Sequence, residues 1–354
     1  MELIPGIPDD VARECLVRVD YKQLPAVVSV CKNWKSEVER SEFRRLRRQA
    51  GSSKLLVVMA QARVDPKSST GLLKYRPSPA YRLSVLEPGS GNWIELPPVE
   101  GSGEGLPMFC QVAGVGSDLV VLGGLDPLTW EVSRSVFVFS FVTATWRRGA
   151  DMPGPRRSLF GCSAGSGRVY VAGGHDEEKN ALRSAMMYDV AGDEWVLLPD
   201  MARERDECKA VFRRGKVHVI GGYQTESQGR FQRDAELFDV ATRQWESPET
   251  DFLEAATCPR TCSSADKDDL YMCHGGNVVA LKGTRWQIVS NLPADVANIA
   301  YTTAWQGNLL LIGSAKFGDP HVAYVLDVEK SRWTKVETPG EFSGHVQSGC
   351  CLEV

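Results

Sequence analysis

The fold of this chain is decided by stretches such as VVLGG (residues 120–124) and VYVAGG (169–174). The same pattern returns as VHVIGG (217–222), as YMCHGG (271–276) and, in degenerate form, as LLLIGS (309–314). The first glycines of these stretches recur along the chain at Gly123, Gly173, Gly221, Gly275 and Gly313. Short apolar runs bounded by glycine predict β-strands, and their regular return predicts a chain built from repeated units.

Six tryptophans form a second series that runs alongside the glycines. They are Trp93, Trp146, Trp195, Trp245, Trp286 and Trp333. In three successive units the second glycine precedes its tryptophan at a nearly constant spacing, so both series belong to one repeat. A period of about 50 residues with this pairing is typical of the kelch repeat of β-propellers. We interpret each unit as a four-stranded blade whose glycines avoid a crowded neighbour and whose tryptophan packs between blades.

The six tryptophans of the repeat series predict six blades. We therefore expect a mainly β fold, a six-bladed kelch β-propeller over residues 51–354. The first unit lacks an initial strand, because residues 41–53 are basic and helical in pattern. Residues 342–354 resemble the initial strands of other units and have no second strand after them. We therefore predict that this C-terminal strand completes the first blade and closes the ring.

Composition excludes several classes of protein. The chain of 354 residues is 43% hydrophobic and 24% charged, which is typical of a globular protein. A net charge of −4 does not indicate a nucleic-acid partner. The arginines from Arg40 to Arg48 have Glu37, Glu39 and Glu42 before and among them, as on a solvated helix. No apolar run approaches the ~20 residues that span a bilayer, so we expect no membrane partner. The start MELIPGIPDD lacks a signal-peptide pattern, and we expect a cytoplasmic and/or nuclear protein.

Ten cysteines raise the question of a metal site. One candidate zinc site consists of Cys258, Cys262, Cys273 and His274. Against it, Cys110, Cys208 and Cys262 all lie at the same distance before the first glycine of their unit and so fill one repeat position. We favour buried, reduced thiols at this position and predict no metal and no cofactor.

Residues 1–50 follow a different pattern, with apolar side chains at helical spacing. We expect Asp9 or Asp10 to cap a first helix and Pro25 to lie in the first turn of a second. Residues from Cys31 begin a third helix, and a linker helix leads to the propeller. Three short helices in fewer than about 50 residues cannot bury this apolar surface internally, so a partner is expected.

This region resembles an F-box. The resemblance rests on IPDD (7–10), Leu16, Leu24 and VCKNW (30–34). Joined to kelch repeats, it makes the chain resemble plant kelch-repeat F-box proteins, and the IPDDVA and ECL stretches are similar to a subgroup of them. The resemblance implies a non-catalytic substrate-recognition subunit of a Skp-cullin-F-box ubiquitin ligase. Its partners would be a Skp-family adaptor, through it cullin and a RING protein, and a protein substrate marked for proteasomal degradation.

The resemblance also implies the adaptor-binding residues, apolar side chains that fill pockets in a helical partner. They are Ile7, Pro8, Leu16, Leu24, Val30 and Trp34. The alternative is that some of the apolar residues form the internal core of the helices, and it stays open for Leu16 and Val28. For Pro8 and Trp34 we favour the interface.

Substrate binding is expected on the loops that join strands two and three and that connect successive blades, because both emerge on one face. The candidate substrate-binding residues there are Arg157, Arg205, Arg260, His175, Tyr223 and Phe231. The three arginines fall at similar repeat positions, and we hypothesise a basic arc that pairs with carboxylates or phosphates. The alternative is that each arginine pairs with its own neighbours, for example Asp206 or Glu207.

Two other functions stay open. Some kelch proteins are metal-dependent enzymes, but the five histidines here fall in different units without a repeated ligand spacing. A non-degradative scaffold that sequesters its partner is the other alternative. The subgroup resemblance implies phenylalanine ammonia-lyase or a cytokinin response regulator as substrate, and we slightly prefer the former.

Overall fold

The computed structural model describes residues 2–64, 79–99, 105–264 and 269–354. Six antiparallel sheets of four strands are arranged as blades, and their innermost strands contact one another in a closed ring. A small helical module precedes them. The predicted six-bladed, mainly β architecture is therefore confirmed.

The strands of the propeller are numbered β1 to β24 in chain order. From the innermost to the outermost strand, blade 1 contains β24 (Val346–Glu353), β1 (Leu55–Ala62), β2 (Tyr81–Glu87) and β3 (Asn92–Glu95). Blade 2 contains β4 (Gln111–Val115), β5 (Asp118–Leu122), β6 (Val136–Ser140) and β7 (Thr145–Gly149). Blade 3 contains β8 (Gly161–Gly165), β9 (Arg168–Ala172), β10 (Ala185–Asp189) and β11 (Glu194–Leu198).

The remaining three blades follow the same inner-to-outer order. Blade 4 contains β12 (Lys209–Arg213), β13 (Lys216–Ile220), β14 (Ala235–Asp239) and β15 (Gln244–Trp245). Blade 5 contains β16 (Ser263–Ser264), β17 (Leu270–His274), β18 (Asn277–Lys282) and β19 (Arg285–Asn291). Blade 6 contains β20 (Asn298–Trp305), β21 (Asn308–Ser314), β22 (Val322–Asp327) and β23 (Arg332–Val336).

The C-terminal strand closes the ring. β24 pairs with β1 in an antiparallel register that places Leu55 opposite Glu353 and Met59 opposite Gly349. The strand begins at Val346 and not at residue 342, because a 3₁₀ turn occupies Gly340–Phe342. Blade 1 therefore joins the two ends of the propeller by a hydrogen-bonded ladder.

The six repeat tryptophans connect neighbouring blades at the outside of the propeller. Each lies on the outermost strand of its blade, is half-buried, and donates its indole Nε1–H to a backbone carbonyl of the preceding blade at 2.7–3.0 Å. The pairs are Trp93 with Glu337, Trp146 with Pro97, Trp195 with Ala150, Trp245 with Pro199, Trp286 with Phe252 and Trp333 with Asn291. The indole thus contributes both apolar contact and a repeated inter-blade hydrogen bond.

The paired glycines have two different roles. A Cβ atom on Gly173 would lie 2.3 Å from the carbonyl oxygen of Arg205, which confirms the crowded approach expected between blades. In blade 5, by contrast, Gly275 and Gly276 form the two-residue turn between β17 and β18 and face open space. The sequence pattern is the same, but in blade 5 the glycines provide the backbone conformation of a two-residue hairpin turn.

The helical module contains four α-helices, and none of the helices among the described residues is long and apolar enough to cross a membrane. They are α1 (Asp9–Val17), α2 (Leu24–Val30), α3 (Lys32–Val38) and α4 (Ser41–Gln49), with a 3₁₀ turn at Tyr21–Gln23. Pro25 lies in the first turn of α2 as expected. The expected cap of α1 is wrong: Pro8 is the N-cap residue, and Asp9 and Asp10 lie in the first turn, where their charges favour the helix dipole.

The helical module and the propeller share one core. Leu16, Leu24 and Phe43 belong to the same buried apolar cluster as Leu56 and Leu352 of blade 1. Polar contacts surround this cluster. The Tyr21 hydroxyl donates to Glu87 at 2.5 Å, Lys22 lies 2.7 Å from the same carboxylate, and Arg48 lies 2.7 Å from Glu353. The fully buried Arg47 donates to the carbonyls of Val17, Val19 and Ser52.

Candidate functional site

The propeller has two faces of different character. We name as the loop face the side that carries the inter-blade segments and the connections between the second and third strands of each blade. The opposite side carries the hairpin turns, and the helical module lies on it: it contacts Glu87 at the end of β2 and Glu353 at the end of β24. The loop face is therefore on the far side of the propeller from the helical module.

Arg157 is not available to a substrate. Its side chain is 1% exposed and donates to the carbonyls of Gly173 and Ser184 at 3.2 Å and to the Ser184 hydroxyl at 2.9 Å. Burial lowers the pKa of the guanidinium to about 10. The prediction that Arg157 binds substrate is therefore wrong, and the residue instead connects the two ends of one loop in blade 3.

Arg205 is buried in the same way but pairs with carboxylates. Its Nη2 lies 2.6 Å from Asp234 and 3.1 Å from Glu236, and all three side chains are at most 3% exposed. Its backbone carbonyl also accepts the N–H of Gly174 from the preceding blade at 2.9 Å. The predicted substrate contact of Arg205 is wrong. The alternative of pairing within the propeller holds, with Asp234 and Glu236 and not Asp206 or Glu207 as partners.

Arg260 is the exposed member of the three arginines. Arg157 and Arg205 lie at the same distance before the first glycine of their units, whereas Arg260 lies one position closer to its glycine. Pro259 consequently takes the buried position, against Gly221, and the Arg260 side chain reaches the surface, where it donates to the carbonyl of Ile299 at 2.6 Å. The predicted basic arc is not formed, because two of its three cations are inside the blades.

His175 and Tyr223 belong to a buried polar network between blades 3 and 4. His175 Nε2 lies 2.7 Å from the Ser158 hydroxyl, and its Nδ1 lies 2.9 Å from Asp206. The Tyr223 hydroxyl donates to Glu207 at 2.9 Å. His175 and Tyr223 are both 5% exposed, so neither can contact a substrate directly and their predicted role is wrong.

The Ser158, His175 and Asp206 arrangement has the connectivity of a hydrolase triad. The Ser158 hydroxyl belongs to a residue that is 2% exposed, and Ser158 and His175 are also joined by a pair of backbone hydrogen bonds. A nucleophile enclosed in this way has no space for a substrate carbonyl. We therefore interpret the network as a structural connection between blades.

Large apolar side chains are exposed on the loop face, and sequence reasoning missed most of them. They are Phe109, Leu128, Trp130 and Phe317, and half-buried Phe231 packs against Tyr223 nearby in blade 4. Phe109, Leu159 and Glu207 occupy one repeat position, and each has a left-handed φ between +50° and +58°. The return of this conformation in three blades, two residues before each innermost strand, indicates a common backbone turn at this position. Apolar residues inside Gly- and Asp-rich loops were the available signal.

The predicted adaptor surface divides into exposed and buried residues. Pro8 and Val30 are exposed, and Ile7 and Trp34 are half-buried, with the Trp34 indole donating to the Leu3 carbonyl at 2.6 Å. Leu16 and Leu24 lie in the core shared with the propeller, at 3% and 1% exposure. Both side chains are buried and therefore not available to an adaptor, so the alternative of an apolar core holds for Leu16 and also applies to Leu24.

The outer side of α1 supplies residues that sequence reasoning did not assign to the interface. Val11 and Cys15 are exposed one turn apart and line a shallow depression with Asp10, Glu14 and Arg18. The helical spacing of Val11 and Cys15, one turn apart on the same face, was the available signal. This depression, Pro8 and Val30 are exposed parts of the helical module, and we refer to them as its exposed surface.

The repeat cysteines lie in the interior. Cys110, Cys208 and Cys262 are buried as predicted, and burial raises the pKa of Cys110 to about 12 and of Cys208 to about 11. All ten cysteines are free. Within the described ranges, no three or more His, Cys, Asp or Glu side chains converge as a metal site.

A helical module on one face of a β-propeller and exposed loops on the other define a protein with two separate interaction surfaces. Sequence comparison specifies both parts. The F-box domain matches residues 4–46, and the KLHDC2/KLHL20/DRC7 Kelch-repeats domain matches residues 109–353.

Relatives match over the whole chain. The Arabidopsis thaliana F-box/kelch-repeat proteins At1g80440 and At1g15670 are both 54% identical to it, over 362 and 359 residues, and each alignment covers 100% of both chains. The Arabidopsis F-box/kelch-repeat protein SKIP20 is 30% identical over 97% of this chain and 94% of its own. The chain therefore belongs to the plant F-box/kelch-repeat family.

A solved structure confirms the fold. The structure of YjhT aligns with a TM-score of 0.59 at 13% identity, over 72% of this chain and 91% of that one. Together, an F-box and a kelch propeller fit a substrate-recognition role in Skp-cullin-F-box ligases, in which the F-box implies a Skp-type adaptor and the propeller a protein substrate. The family names indicate a non-enzymatic receptor.

Proposed function

We propose that this protein captures a target on the loop face, binds a Skp-family adaptor through the exposed surface of its F-box, and thereby promotes the target's ubiquitination and proteasomal degradation. The observation that carries the proposal is the placement of the two surfaces on opposite faces of one propeller. We also propose that it acts in the cytoplasm and/or the nucleus.

The junction between the modules supports a rigid receptor. The shared apolar core and the contacts of Tyr21, Lys22 and Arg48 with blade 1 fix the helices on the propeller. A receptor without its own chemistry acts by raising the effective concentration of target lysines near the ligase's catalytic subunits. A rigid junction restricts the volume in which the bound target moves, so it favours a defined set of lysines.

The target surface that we propose is the apolar part of the loop face, with Trp130 as its main anchor. Exposed aromatic residues on rigid loops are typical binding hot spots, and exposed apolar patches mark protein-binding sites. Arg260 and Phe231 stay part of the proposed surface, because they are respectively exposed and half-buried on the same face. As target we propose phenylalanine ammonia-lyase, with a cytokinin response regulator as the second candidate; both rest on the subgroup resemblance of the N-terminal motif.

Two pairs of variants of the full-length protein test the two surfaces separately. Val30→Glu replaces an apolar side chain that is 61% exposed on the F-box, and its control Ile288→Glu replaces one that is 68% exposed on an outer strand of blade 5. Trp130→Glu replaces a side chain that is 58% exposed on the loop face. Its control Leu197→Glu replaces one that is 68% exposed on an outer strand of blade 3.

Each protein is used to capture adaptor and candidate target from purified components. We expect Val30→Glu to lose the adaptor and keep the target, Trp130→Glu to do the reverse, and both controls to keep both partners. Ubiquitination of the captured target in a reconstituted ligase then separates degradation from sequestration. Adaptor binding by Val30→Glu at the level of the unchanged protein contradicts the proposed F-box surface, and a bound but unmodified target contradicts the degradative role.

A further inference from the structure

The axis of the propeller contains a cavity that neither of the two proposed surfaces uses. It has a volume of about 180 Å³ and is lined by residues from all six innermost strands. Its lining includes the hydroxyls of Ser163, Ser263 and Thr303 and the thiols of Cys162 and Cys262. Among the described residues that line it, Lys209 is the one charged side chain.

Lys209 has no counter-ion among the described residues. It begins β12, which lies between β8 and β16 in the ring of innermost strands, and no carboxylate of the described residues lies within ion-pair distance of its ammonium. Three thiols are near enough to act on its charge: Cys262, which directly precedes β16, Cys162 of β8, and Cys258. Burial raises the pKa of Cys262 to about 12, so at neutral pH this thiol is uncharged and provides no compensating anion.

The strands on both sides of β12 contribute unused hydrogen-bonding groups. The Ser163 and Ser263 hydroxyls are buried and make no hydrogen bond to any described residue. The Ser263 side chain belongs to a residue that is more than nine-tenths buried, at 8% exposure. A buried hydroxyl without a partner is unfavourable, so such groups in a cavity favour a ligand that satisfies them.

The charge of Lys209 indicates that this ligand is negatively charged. Desolvation lowers the pKa of Lys209. The cavity therefore disfavours the charged ammonium when no negative charge lies beside it. An anion in the cavity would offset this penalty and would accept hydrogen bonds from the ammonium and from both serine hydroxyls. A neutral or cationic ligand would leave the ammonium uncompensated.

We propose that the propeller channel is a binding site for a small oxyanion, a phosphate or a carboxylate, held by the Lys209 ammonium and the Ser163 and Ser263 hydroxyls. The volume restricts the ligand's size. Drug-sized ligands occupy pockets of roughly 300–1,000 Å³, and a cavity of about 150 Å³ accepts benzene. Inorganic phosphate and benzoate therefore represent the two kinds of oxyanion that fit.

Isothermal titration of the full-length protein with inorganic phosphate and, separately, with benzoate tests the site. We expect binding of at least one of the two anions, and we expect Lys209→Met to weaken it by about tenfold or more. Ser263→Ala removes one hydroxyl and should weaken binding by a factor of about 5, from the ~1 kcal/mol of one hydrogen bond. The control is Lys330→Met, which removes a lysine that pairs with Asp327 in an outer turn.

Amine labelling provides a second measurement that does not depend on the variants folding. Acetic anhydride at neutral pH should modify Lys209 faster than Lys330 in the unchanged protein, and the anion that binds should protect Lys209 specifically. The inference is overturned if neither anion binds, or if Lys209→Met, shown to be folded by its thermal transition, binds the anion like the unchanged protein. Adaptor capture is independent of this site, so a failure here leaves the proposed receptor role intact.

Discussion

Arg205 shows how strongly a single residue can depend on its buried partners. Its guanidinium lies between Asp234 and Glu236 with almost no exposure. Arg203 is an exposed residue, and its Nη1 lies 3.1 Å from the same Asp234 carboxylate. Breaking a buried pair leaves uncompensated charge and is strongly unfavourable, whereas an exposed pair contributes little. The two arginines therefore form a matched pair for experiment.

We expect Arg205→Met to lower the free energy of unfolding by about 3–5 kcal/mol, because Asp234 and Glu236 lose their cation inside the blade. Arg203→Met should lower it by less than about 1 kcal/mol. Chemical denaturation of both variants measures the difference. Equal and small effects would show that Arg205 is not the residue that neutralises the two carboxylates.

His218 is buried in β13, and its pKa is lowered to about 4, first by burial and then by the charges of Arg213 and Lys216. In the unfolded chain a histidine has a pKa near 6.5. Lowering the pH from about 6.5 to 4 therefore protonates the unfolded state first and reduces stability by a few kcal/mol at most. We expect His218→Leu to show a smaller decrease in melting temperature over this pH range than the unchanged protein. A decrease of the same size in both would contradict the buried, neutral state of His218.

At the scale of the element, the glycine pairs show that one motif can carry two structural requirements. Gly173 and Gly275 both have a left-handed φ, of +66° and +58°. Gly173 is in addition enclosed by the Arg205 backbone, whereas nothing lies within 4 Å of the Cβ position at Gly275. The first glycine is required by conformation and by space, the second by conformation alone.

We expect Gly275→Ala to reduce the free energy of unfolding by about 1–2 kcal/mol, the cost of a left-handed alanine. Gly173→Ala should reduce it by considerably more, because blades 3 and 4 must also separate where the new methyl group meets the Arg205 carbonyl oxygen. Denaturant midpoints of the two variants make the comparison. Similar midpoints would mean that blades 3 and 4 do not approach closely at Gly173.

For the whole molecule, closure of the ring of six blades depends on β24, the last strand in chain order. Without β24, the β1 strand would be an open edge, with Val57, Val58 and Met59 losing their cover. The same deletion removes Glu353, the partner of Arg48 in the helical module. Both the propeller and its junction to the F-box thus depend on the C-terminal residues.

We expect a chain that ends at residue 345 to aggregate and to lack a cooperative thermal transition, because blade 1 loses its innermost strand. A peptide of residues 343–354 added during refolding should restore soluble monomer, since it supplies β24 in trans. The measurements are size-exclusion chromatography and calorimetry. A truncated chain that is monomeric and melts cooperatively would contradict the role of β24 in closing the ring.

The features that could be predicted from the amino-acid sequence are those that repeat or are local: six blades, the tryptophan of each outer strand, and the helical nature of the segment 1–50. Such features depend on the spacing of residues within one unit, which is readable from one chain. The sequence also indicated the burial of Cys110, Cys208 and Cys262, because one repeat position has one environment.

The exposure of the candidate residues, by contrast, could be read only from the folded structure. Arg157 and Arg260 differ by a single position in register, and that difference places one inside a blade and the other at the surface. Leu16 and Val30 are both apolar residues of the F-box motif, but only Leu16 is buried, in the apolar cluster that the helices share with blade 1. The physical reason is that exposure is set by neighbours from other blades or modules, which are distant in the chain, and no local pattern specifies them.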